Sequence, residues 1–461
     1  MTSQTKKGKP SLLKELFKSK SALTGIVILS VLAGLTIYSV VSLPSNISYT
    51  WQNGEAWVLY PIDAPPQWIN FLGFPTAPTI NLSLSQWTKE TISAGAANFS
   101  EYSASTTFKW SSGVFPQDLA FEPMFSGNAS TIALTWVKPQ GPSILVSVSE
   151  PASGEAYEAQ SQTFTNAASQ YILNQTGQYV TQLSKQQVIS AFFGKLANDI
   201  LTSSPLSGTY QVTVQVLSSS PMNMFRSLLV VVGNSYGLMG TDNQDRPIDL
   251  GLLAGLPNAL EIGFLVSIIA VVIGIVFGGL SGYLGGKKDG LMQWVALVIL
   301  AMPVLPFLVV ISFTQKLNIF LEVVFIAALS WPFYAIIART VGLSVKSQAF
   351  VEADKAMGVP WYRVFASHFI PRLSAVTVAY TVLGIPGGIL TAESLAFIGI
   401  GPGNLITWGG ILDTAFVNQA AVFGFWWWVV FPGLMIVLSA IPFVLLGFAI
   451  ERIIAPRVSA K

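Results

Sequence analysis

The 461-residue sequence has no cysteine and a single histidine, His368. Disulfide bonds, thiolate metal sites and histidine-rich metal centres are therefore excluded. Charge is also scarce. Charged residues make up 10% of the chain, against roughly 25% in a soluble domain, and the net charge of +2 argues against a nucleic-acid-binding surface. Such a composition indicates that much of the chain lies in lipid.

A phosphate-binding loop is also missing. The two nearest Gly-Lys pairs, Gly286-Lys287 and Gly194-Lys195, are followed by Lys288 and Leu196. The P-loop requires Ser or Thr there, because that hydroxyl ligates the Mg²⁺ of the nucleotide. We therefore expect this chain to hydrolyse no ATP and to carry no cofactor and no metal of its own.

What the sequence has in abundance is long apolar runs. About 20 apolar residues in a helix cross the hydrocarbon core of a bilayer, and backbone in lipid must satisfy its own hydrogen bonds. Six membrane-spanning helices are predicted, at residues 21–43, 257–283, 291–313, 319–338, 373–398 and 424–450. The first is too long for the apolar region of a cleaved signal peptide, which favours an uncleaved anchor.

The distribution of Lys and Arg predicts the orientation, since cytoplasmic loops are enriched in both. Six lysines precede the first run: Lys6, Lys7, Lys9, Lys14, Lys18 and Lys20. The short loop that would lie outside carries only Lys316. Both termini are therefore predicted to be cytoplasmic. The predicted parts are a basic terminus (1–20), a first helix (21–43), an extracellular domain (44–250), a five-helix core (251–455) and a tail (456–461).

Residues 44–250 are rich in Ser, Thr, Asn and Gln and are too many for a loop without structure. Alternating or β-branched runs predict strands at 131–136, 143–148 and 210–216. Residues 155–183 and 185–201 are predicted to be helical. We expect a compact α+β domain of roughly 200 residues. It contains no histidine, so a Ser-His-Asp triad is excluded there.

Five Asn-x-Ser/Thr sequons occur in this predicted domain and none elsewhere in the chain. Such sequons are acceptors for N-glycans on exported surfaces. The predicted glycosylation sites are Asn46, Asn81, Asn98, Asn128 and Asn174.

The longest cytoplasmic loop, predicted at 340–372, contains a distinctive segment from Val351 to Arg372. Its pattern predicts two short helices broken at Gly358-Val359-Pro360. Glycine suits a helix end and proline suits the first turn of the next helix. We expect a rigid protrusion with mixed apolar and basic surfaces.

Within this loop, Glu352-Ala353, Gly358 and Ile370-Pro371 follow each other at the spacing of a known motif. The pattern resembles the cytoplasmic coupling loop of ATP-binding-cassette (ABC) importer permeases, where a short helix docks on the ATPase subunit. The resemblance assigns seven residues to coupling: Glu352, Ala353, Asp354, Gly358, Pro360, Trp361 and Pro371.

Other stretches resemble the C-type permease of the dipeptide/oligopeptide branch of that family. They include Gly240-Thr-Asp242, Gly282-Tyr283, the run from Glu393 to Gly401, and Trp408-Gly409. Asp245 stands where the family usually has glycine. The resemblance covers the first span and about residues 240–457, and it implies the six-helix type I importer fold. The large extracellular domain departs from compact members of the family.

The resemblance also implies partners. These are a second, homologous permease subunit, two ABC ATPase subunits that bind ATP and Mg²⁺, an extracellular substrate-binding protein and membrane lipid. It implies no nucleic acid. The implied substrates are peptides or oligosaccharides.

Glu393 is an ionisable residue inside an apolar run, which marks a functional position. The nearby Gly384-Ile-Pro-Gly-Gly388 predicts irregular backbone lining a cavity. Glu393, Gly387 and Gly388 are therefore candidates for the translocation path. The sequence leaves open whether Glu393 lines that path or fixes the hairpin that follows.

Two other functions remain open from the sequence alone. A secondary transporter could use Glu261 or Glu393 as proton carriers, although no inverted repeat supports it. A membrane-anchored receptor or enzyme would work through residues 44–250, but a single anchor would then suffice and five further spans argue against it.

Overall fold

The computed structural model describes residues 16–94, 97–195, 204–220, 222–314 and 318–459. Side chains at 93, 94, 97, 98, 375 and 454–459 are excluded from this description. Several predicted features lie outside it: the side chain of Asn98, the lysines at 6, 7, 9 and 14, Lys316, and residues 196–201 of the second predicted helix. The chain folds into two compact units. We call Thr50–Asp249 the sheet unit, and Met1–Tyr49 with Leu250–Lys461 the membrane unit.

In the described residues of the sheet unit, the strands form three antiparallel sheets. One has five strands in the order β2-β3-β9-β6-β7, one has four in the order β1-β11-β4-β8, and one pairs β10 with β5. The strands are β1 Ile80–Leu84, β2 Thr88–Ala94, β3 Ala97–Trp110, β4 Asp118–Glu122, β5 Phe125–Ser126, β6 Thr131–Val137, β7 Ile144–Ser149, β8 Tyr157–Glu158, β9 Gly208–Ser218, β10 Asn223–Met224 and β11 Ser227–Val232. The three predicted strands are confirmed as β6, β7 and β9.

Strands such as β6 and β7 bury every second residue, so the buried side chains of each strand share one face. An aromatic cluster forms the core of this unit. Trp136 is fully buried, with ring centroids 5.7 Å from Phe192 and 5.2 Å from Phe193. Its indole N–H donates to the Phe192 carbonyl at 3.0 Å. The large apolar area is therefore buried without leaving the polar atom of this indole unpaired.

The helices of the sheet unit are shorter than predicted. Helix α3 is Gln162–Thr176 rather than 155–183, because Tyr157 and Glu158 form β8 and pair with β4. Helix α4 is Lys185–Phe193; Ser184 and Gln187 form a capping box at its start. A short helix, α2 (Ile47–Gln52), and 3₁₀ turns at Gly54–Trp57 and Gln67–Leu72 precede the sheets.

A buried lysine secures the end of α4. The ammonium group of Lys138 donates to the Tyr171 hydroxyl at 2.6 Å and to the carbonyls of Ala191 and Gly194 at 3.0 and 3.1 Å. Those carbonyls lie at the C-terminal end of the helix, where a positive charge is favourable. Burial lowers the pKa of Lys138 to about 8.

The Gly240-Thr-Asp242 motif forms a tight turn around a buried ion pair. Asp242 accepts hydrogen bonds from the Arg246 side chain at 2.6 Å and from the Arg246 main-chain N–H at 3.0 Å. Asp245 has φ +61°, in the left-handed region that favours glycine. A glycine at this position would adopt the same backbone conformation without strain.

The membrane unit is helical. Its helices are α1 Lys20–Ser42, α5 Ile248–Leu284, α6 Gly286–Leu300, α7 Val304–Thr314, α8 Ile319–Lys346, α9 Ala349–Ala356, α10 Trp361–Val364, α11 Ile370–Phe397, α12 Trp408–Val417 and α13 Trp426–Ser459. Among the described residues, five helices or helix segments are long and apolar enough to cross a membrane, within α1, α5, α8, α11 and α13. The single span predicted at 291–313 is instead two helices, because α6 and α7 meet there at a 73° bend. Pro303 lies in the break, where it disfavours helical continuation.

Close backbone contact holds α5 against α8. A side chain at Gly278 would overlap the Ala335 carbonyl, and one at Gly282 would meet the Arg339 carbonyl at 2.6 Å. Small residues at such contacts allow helices to pack in lipid, where no hydrophobic force brings them together.

The predicted irregular backbone at Gly384–Gly388 is wrong, because α11 continues through it as a helix with Pro386 inside. A Cβ on Gly388 would lie 3.1 Å from the Gly263 Cα. At Gly388 the glycine therefore permits close helix packing and does not mark a break.

The acidic groups of the sheet unit predict a pH-dependent stability. Burial, with Asp242 adding to it, raises the pKa of Asp63 to about 6, and burial raises the pKa of Asp245 to about 7 despite nearby Lys185. Between the unfolded and the folded pKa values, these two acids are protonated in the folded chain and ionised in the unfolded chain. The free energy of unfolding should therefore fall as the pH rises from about 4 to about 7. Hydrogen exchange of the sheet-unit peptides in the full chain measures this.

The double variant Asp63→Asn with Asp245→Asn should lose the part of that pH dependence contributed by these two acids. Burial also raises the pKa of Asp242 and of Glu158, whose contributions should remain. Glu150→Gln, on an exposed turn after β7, is the control and should keep it. An unchanged slope in the double variant would contradict the assignment.

Candidate functional site

The 349–372 segment contains the predicted short first helix and sharp turn, but its second helix is not short. Helix α10 continues without a break through a π-helical stretch, Phe365–Phe369, into α11. Helix α9 ends at Ala356, and α10 begins at Trp361 directly after Pro360. In the turn, the Gly358 N–H donates to the Lys355 carbonyl at 3.1 Å and the Val359 N–H to the Asp354 carbonyl at 3.0 Å. Gly358 has φ +77°, which a residue with a side chain adopts only with strain.

Three large apolar side chains project from this turn. Met357 is 72% exposed, and Trp361 and Tyr362 are each 55% exposed. Glu352, Ala353 and Pro371 are also exposed, whereas Pro360 is half-buried. Contiguous exposed apolar side chains on a rigid turn are typical of a protein docking surface.

Behind this surface the segment is braced internally. His368 Nε2 lies 2.6 Å from Asp354 Oδ2, and the His368 ring packs 4.7 Å from that of Phe350. The guanidinium of Arg372 lies 4.9 Å from the centre of the Phe350 ring. Asp354, one of the seven predicted coupling residues, therefore has a partner within the segment itself.

The opposite face of the segment is buried against the helices that carry it. Val351, Val364 and Phe369 form one apolar cluster with Ala338 and Val345 of α8. Tyr283, at the end of α5, packs edge-on against Phe369 with ring centroids 5.0 Å apart. The Lys355 ammonium lies 5.4 Å from the Tyr283 ring. A force on the exposed turn would therefore reach both α5 and α8.

Glu393 lies at the other end of α11 and is 4% exposed. Its carboxylate accepts a hydrogen bond from the Gly409 N–H at 2.5 Å. Gly409 is in the first turn of α12, where a negative charge is favourable. The geometry therefore links Glu393 to the segment after α11.

A second buried acid, Glu322, is 1% exposed and is not among the residues predicted from the sequence. It lies in the first turn of α8, one turn after the capping residue Asn318. The signal was available, since a lone acid in an apolar run is as unusual there as at position 393. A cavity lined by Ser312, Asn318, Ile400 and Asn404 opens beside Asn318.

The other predicted site residues are scattered. Gly387 is exposed on α11, whereas Gly388 is buried. Four sequon asparagines are exposed: Asn46, Asn81, Asn128 and Asn174. In the described part of the chain, no three His, Asp or Glu side chains are grouped to hold a metal ion.

Removing the Glu393 carboxylate should loosen α12. Glu393→Ala leaves a buried N–H unpaired, at a cost of about 1–3 kcal/mol, whereas Glu393→Gln retains an acceptor oxygen. Hydrogen exchange of residues 405–417 in nanodisc-embedded protein should accelerate in the first variant and much less in the second. Glu261→Ala, at an exposed carboxyl of α5, serves as control. Unchanged exchange in Glu393→Ala would refute this role.

Comparisons with known proteins agree with this architecture. Residues 270–460 match the family model described as the binding-protein-dependent transport system inner membrane component. The oligopeptide transport system permease protein OppC of Haemophilus influenzae is 31% identical over 224 residues, which cover 48% of this chain and 71% of the relative.

Two further relatives show similar coverage. The probable D,D-dipeptide transport system permease protein DdpC of Escherichia coli is 29% identical over 48% of this chain and 74% of its own length. The dipeptide transport system permease protein DppC of Bacillus subtilis is 25% identical over 47% and 68%. The chain therefore belongs to the dipeptide/oligopeptide family of ABC importer permeases.

Proposed function

We propose that this chain is one of two permease subunits of a peptide importer and forms half of its translocation pathway. An extracellular binding protein delivers the peptide, and two separate ABC ATPase subunits supply the energy from ATP and Mg²⁺. The observation that carries the proposal is the exposed apolar turn of Met357, Trp361 and Tyr362 on a segment braced from behind. Membership of the permease family supports it.

In this proposal the ATPase receives the exposed residues of the 349–372 segment. Glu352, Ala353 and Trp361 would contact it directly, and Gly358 and Pro360 would shape the turn. Asp354 would act through its contact with His368. Pro371, which is exposed, would lie at the edge of the contact.

The proposed topology has six spans, with α6 and α7 together forming the third. Both termini would be cytoplasmic and the sheet unit extracellular. The excess of Lys and Arg in the predicted cytoplasmic segments supports this orientation. The exposed sequons at Asn46, Asn81, Asn128 and Asn174 are consistent with it, and Asn98 is a fifth proposed acceptor.

For the sheet unit we propose that it docks the substrate-binding protein; a lid over the pathway is the alternative. Its separate core supports an independent role. Deleting it should abolish delivery by the binding protein but leave basal ATP hydrolysis, whereas a lid would give leakier transport on deletion.

The proposed substrates are peptides, with oligosaccharides as the alternative. The names of the relatives refer to dipeptides and oligopeptides. Competition of both ligand classes for uptake by the assembled importer separates the two.

Gly387 is the proposed path-lining residue of α11, because it is exposed while Gly388 packs against Gly263. For Glu393 we propose the anchoring role, since its carboxylate holds the Gly409 N–H. A secondary transporter that used Glu393 or Glu261 as a proton carrier would instead lose uptake on addition of a protonophore despite ample ATP.

The proposal predicts what co-purifies with the tagged chain after gentle solubilisation. A second permease and two P-loop ATPases should be recovered with ATP hydrolysis. Trp361→Ala and Gly358→Val should lose the ATPases or uncouple hydrolysis from uptake, because one removes an exposed contact and the other strains the turn.

Tyr179→Ala, at an exposed aromatic residue of the sheet unit, is the matched control and should behave like the wild type. Normal uptake in both turn variants, or recovery of the chain alone with gradient-driven uptake, would overturn the proposal.

A further inference from the structure

The corner between α5 and α6 is unusually tight. Only Gly285 separates the two helices, and both Gly285 and Gly286 have positive φ, +68° and +58°. The C-terminus of α5 and the N-terminus of α6 are therefore adjacent. One end carries partly negative carbonyls and the other partly positive N–H groups.

Helix α8 contributes a cation to the α6 side of this corner. The guanidinium of Arg339 donates from Nε to Asp289 Oδ1 and from Nη2 to Asp289 Oδ2, both at 2.7 Å. Asp289 is 8% exposed and lies in the first turn of α6. This two-bond arrangement fixes the relative orientation of the two groups as well as their separation.

The α5 side of the corner is tied to the same pair. Ser281 of α5 donates a hydrogen bond to Asp289 Oδ1 at 2.5 Å, and Gln293 of α6 donates to the Ser281 hydroxyl at 3.1 Å. Lys346, two turns beyond Arg339 on α8, donates to the Leu284 carbonyl at 3.2 Å. The negatively charged Asp289 thus lies at the N-terminus of α6, and the positively charged Lys346 lies at the C-terminus of α5.

These contacts lie next to the 349–372 segment. Helix α8 ends at Lys346, and only two residues separate it from α9, which begins at Ala349. Tyr283, within the same corner, touches Phe369 and lies under the Lys355 ammonium. The corner is therefore attached to the segment from both sides.

We propose that the Asp289–Arg339 pair is a transmission clamp that makes the α5–α6 corner move together with α8 when the 349–372 segment is displaced. Asp289 and Arg339 are positioning residues, because neither is exposed on the docking turn. The inference rests on the proposed function, in which an ATPase displaces that segment. Without the clamp, displacement would still reach α5 through Tyr283, but the start of α6 would not follow α8 in a fixed register.

The apolar contact between α5 and α8 would not by itself hold the α5–α6 corner in register with α8. The α5–α8 interface is formed by glycine and alanine backbones at Gly278 and Ala335, which can slide along each other at little cost. A charged pair with two fixed hydrogen bonds has one favourable register, and breaking it leaves a charge poorly solvated. The pair thus determines the register, and the small residues permit the close approach.

The test is the number of peptide molecules imported per ATP hydrolysed by the complete importer in proteoliposomes. Asp289→Asn and Arg339→Gln should each lower this ratio by about tenfold, while the ATPases still co-purify. The swapped pair, Asp289→Arg with Arg339→Asp, should restore it to within about threefold, since it re-forms the ion pair. Arg339→Lys keeps the positive charge but cannot make the two parallel hydrogen bonds of the guanidinium group, and it should give an intermediate ratio.

Unchanged ratios in both single variants would overturn the clamp, and so would loss of ATPase binding in them, which would indicate a general structural role. If the swapped pair fails to assemble, the Arg339→Lys ratio decides: a ratio equal to the wild type or to Arg339→Gln overturns the proposal. Trp361→Ala separates this failure from failure of the proposed function. If Trp361→Ala uncouples and the clamp variants do not, only the clamp is wrong. If Trp361→Ala and Gly358→Val are also normal, the proposed function fails.

Discussion

The membrane unit depends on the close approach of helices whose surfaces gain nothing by leaving lipid for each other. Between α5 and α8 the contact is backbone to backbone, with Gly278 against Ala335. Dispersion forces at this distance, and the polar groups placed among them, replace the hydrophobic effect that holds a soluble core together. A larger side chain at Gly278 would separate α5 and α8, the two helices against which the 349–372 segment packs.

The 349–372 segment has one side buried against the neighbouring helices and an exposed turn at Gly358. Val351, Val364 and Phe369 are buried on that side. The contact of Asp354 with His368 links the helix before the turn to the helix after it. The turn around Gly358 exposes the large apolar side chains of Met357, Trp361 and Tyr362. In the proposed importer, a rigid element of this kind would transmit displacement, because its closely packed interior has no alternative packing to absorb it.

The sheet unit, in contrast to the membrane unit, is held together by a hydrophobic core. Its core is an aromatic and aliphatic cluster of the kind found in water-soluble domains, and the buried polar Lys138 has three oxygen partners. Its strands alternate in burial. The two parts of the chain are thus stabilised by different forces, which explains their different compositions.

The sequence by itself determined the helical membrane class, strands β6, β7 and β9, and the broken helix at Gly358, because each depends on local periodicity, turn chemistry or simple length. It did not determine the bend at Pro303, the shortened α3 or the unbroken helix through Gly384–Gly388. The bend has a local cause in Pro303, which a prediction from apolar length alone does not register. The last two depend on distant partners: β8 pairs with β4, and Gly388 packs against Gly263. The same holds for the candidate sites. The motif placed Glu352 and Trp361, but only the tertiary structure brought Asp354 to His368, Glu393 to Gly409 and Asp289 to Arg339, because a side chain's partner across 14 to 50 residues is decided by how helices pack.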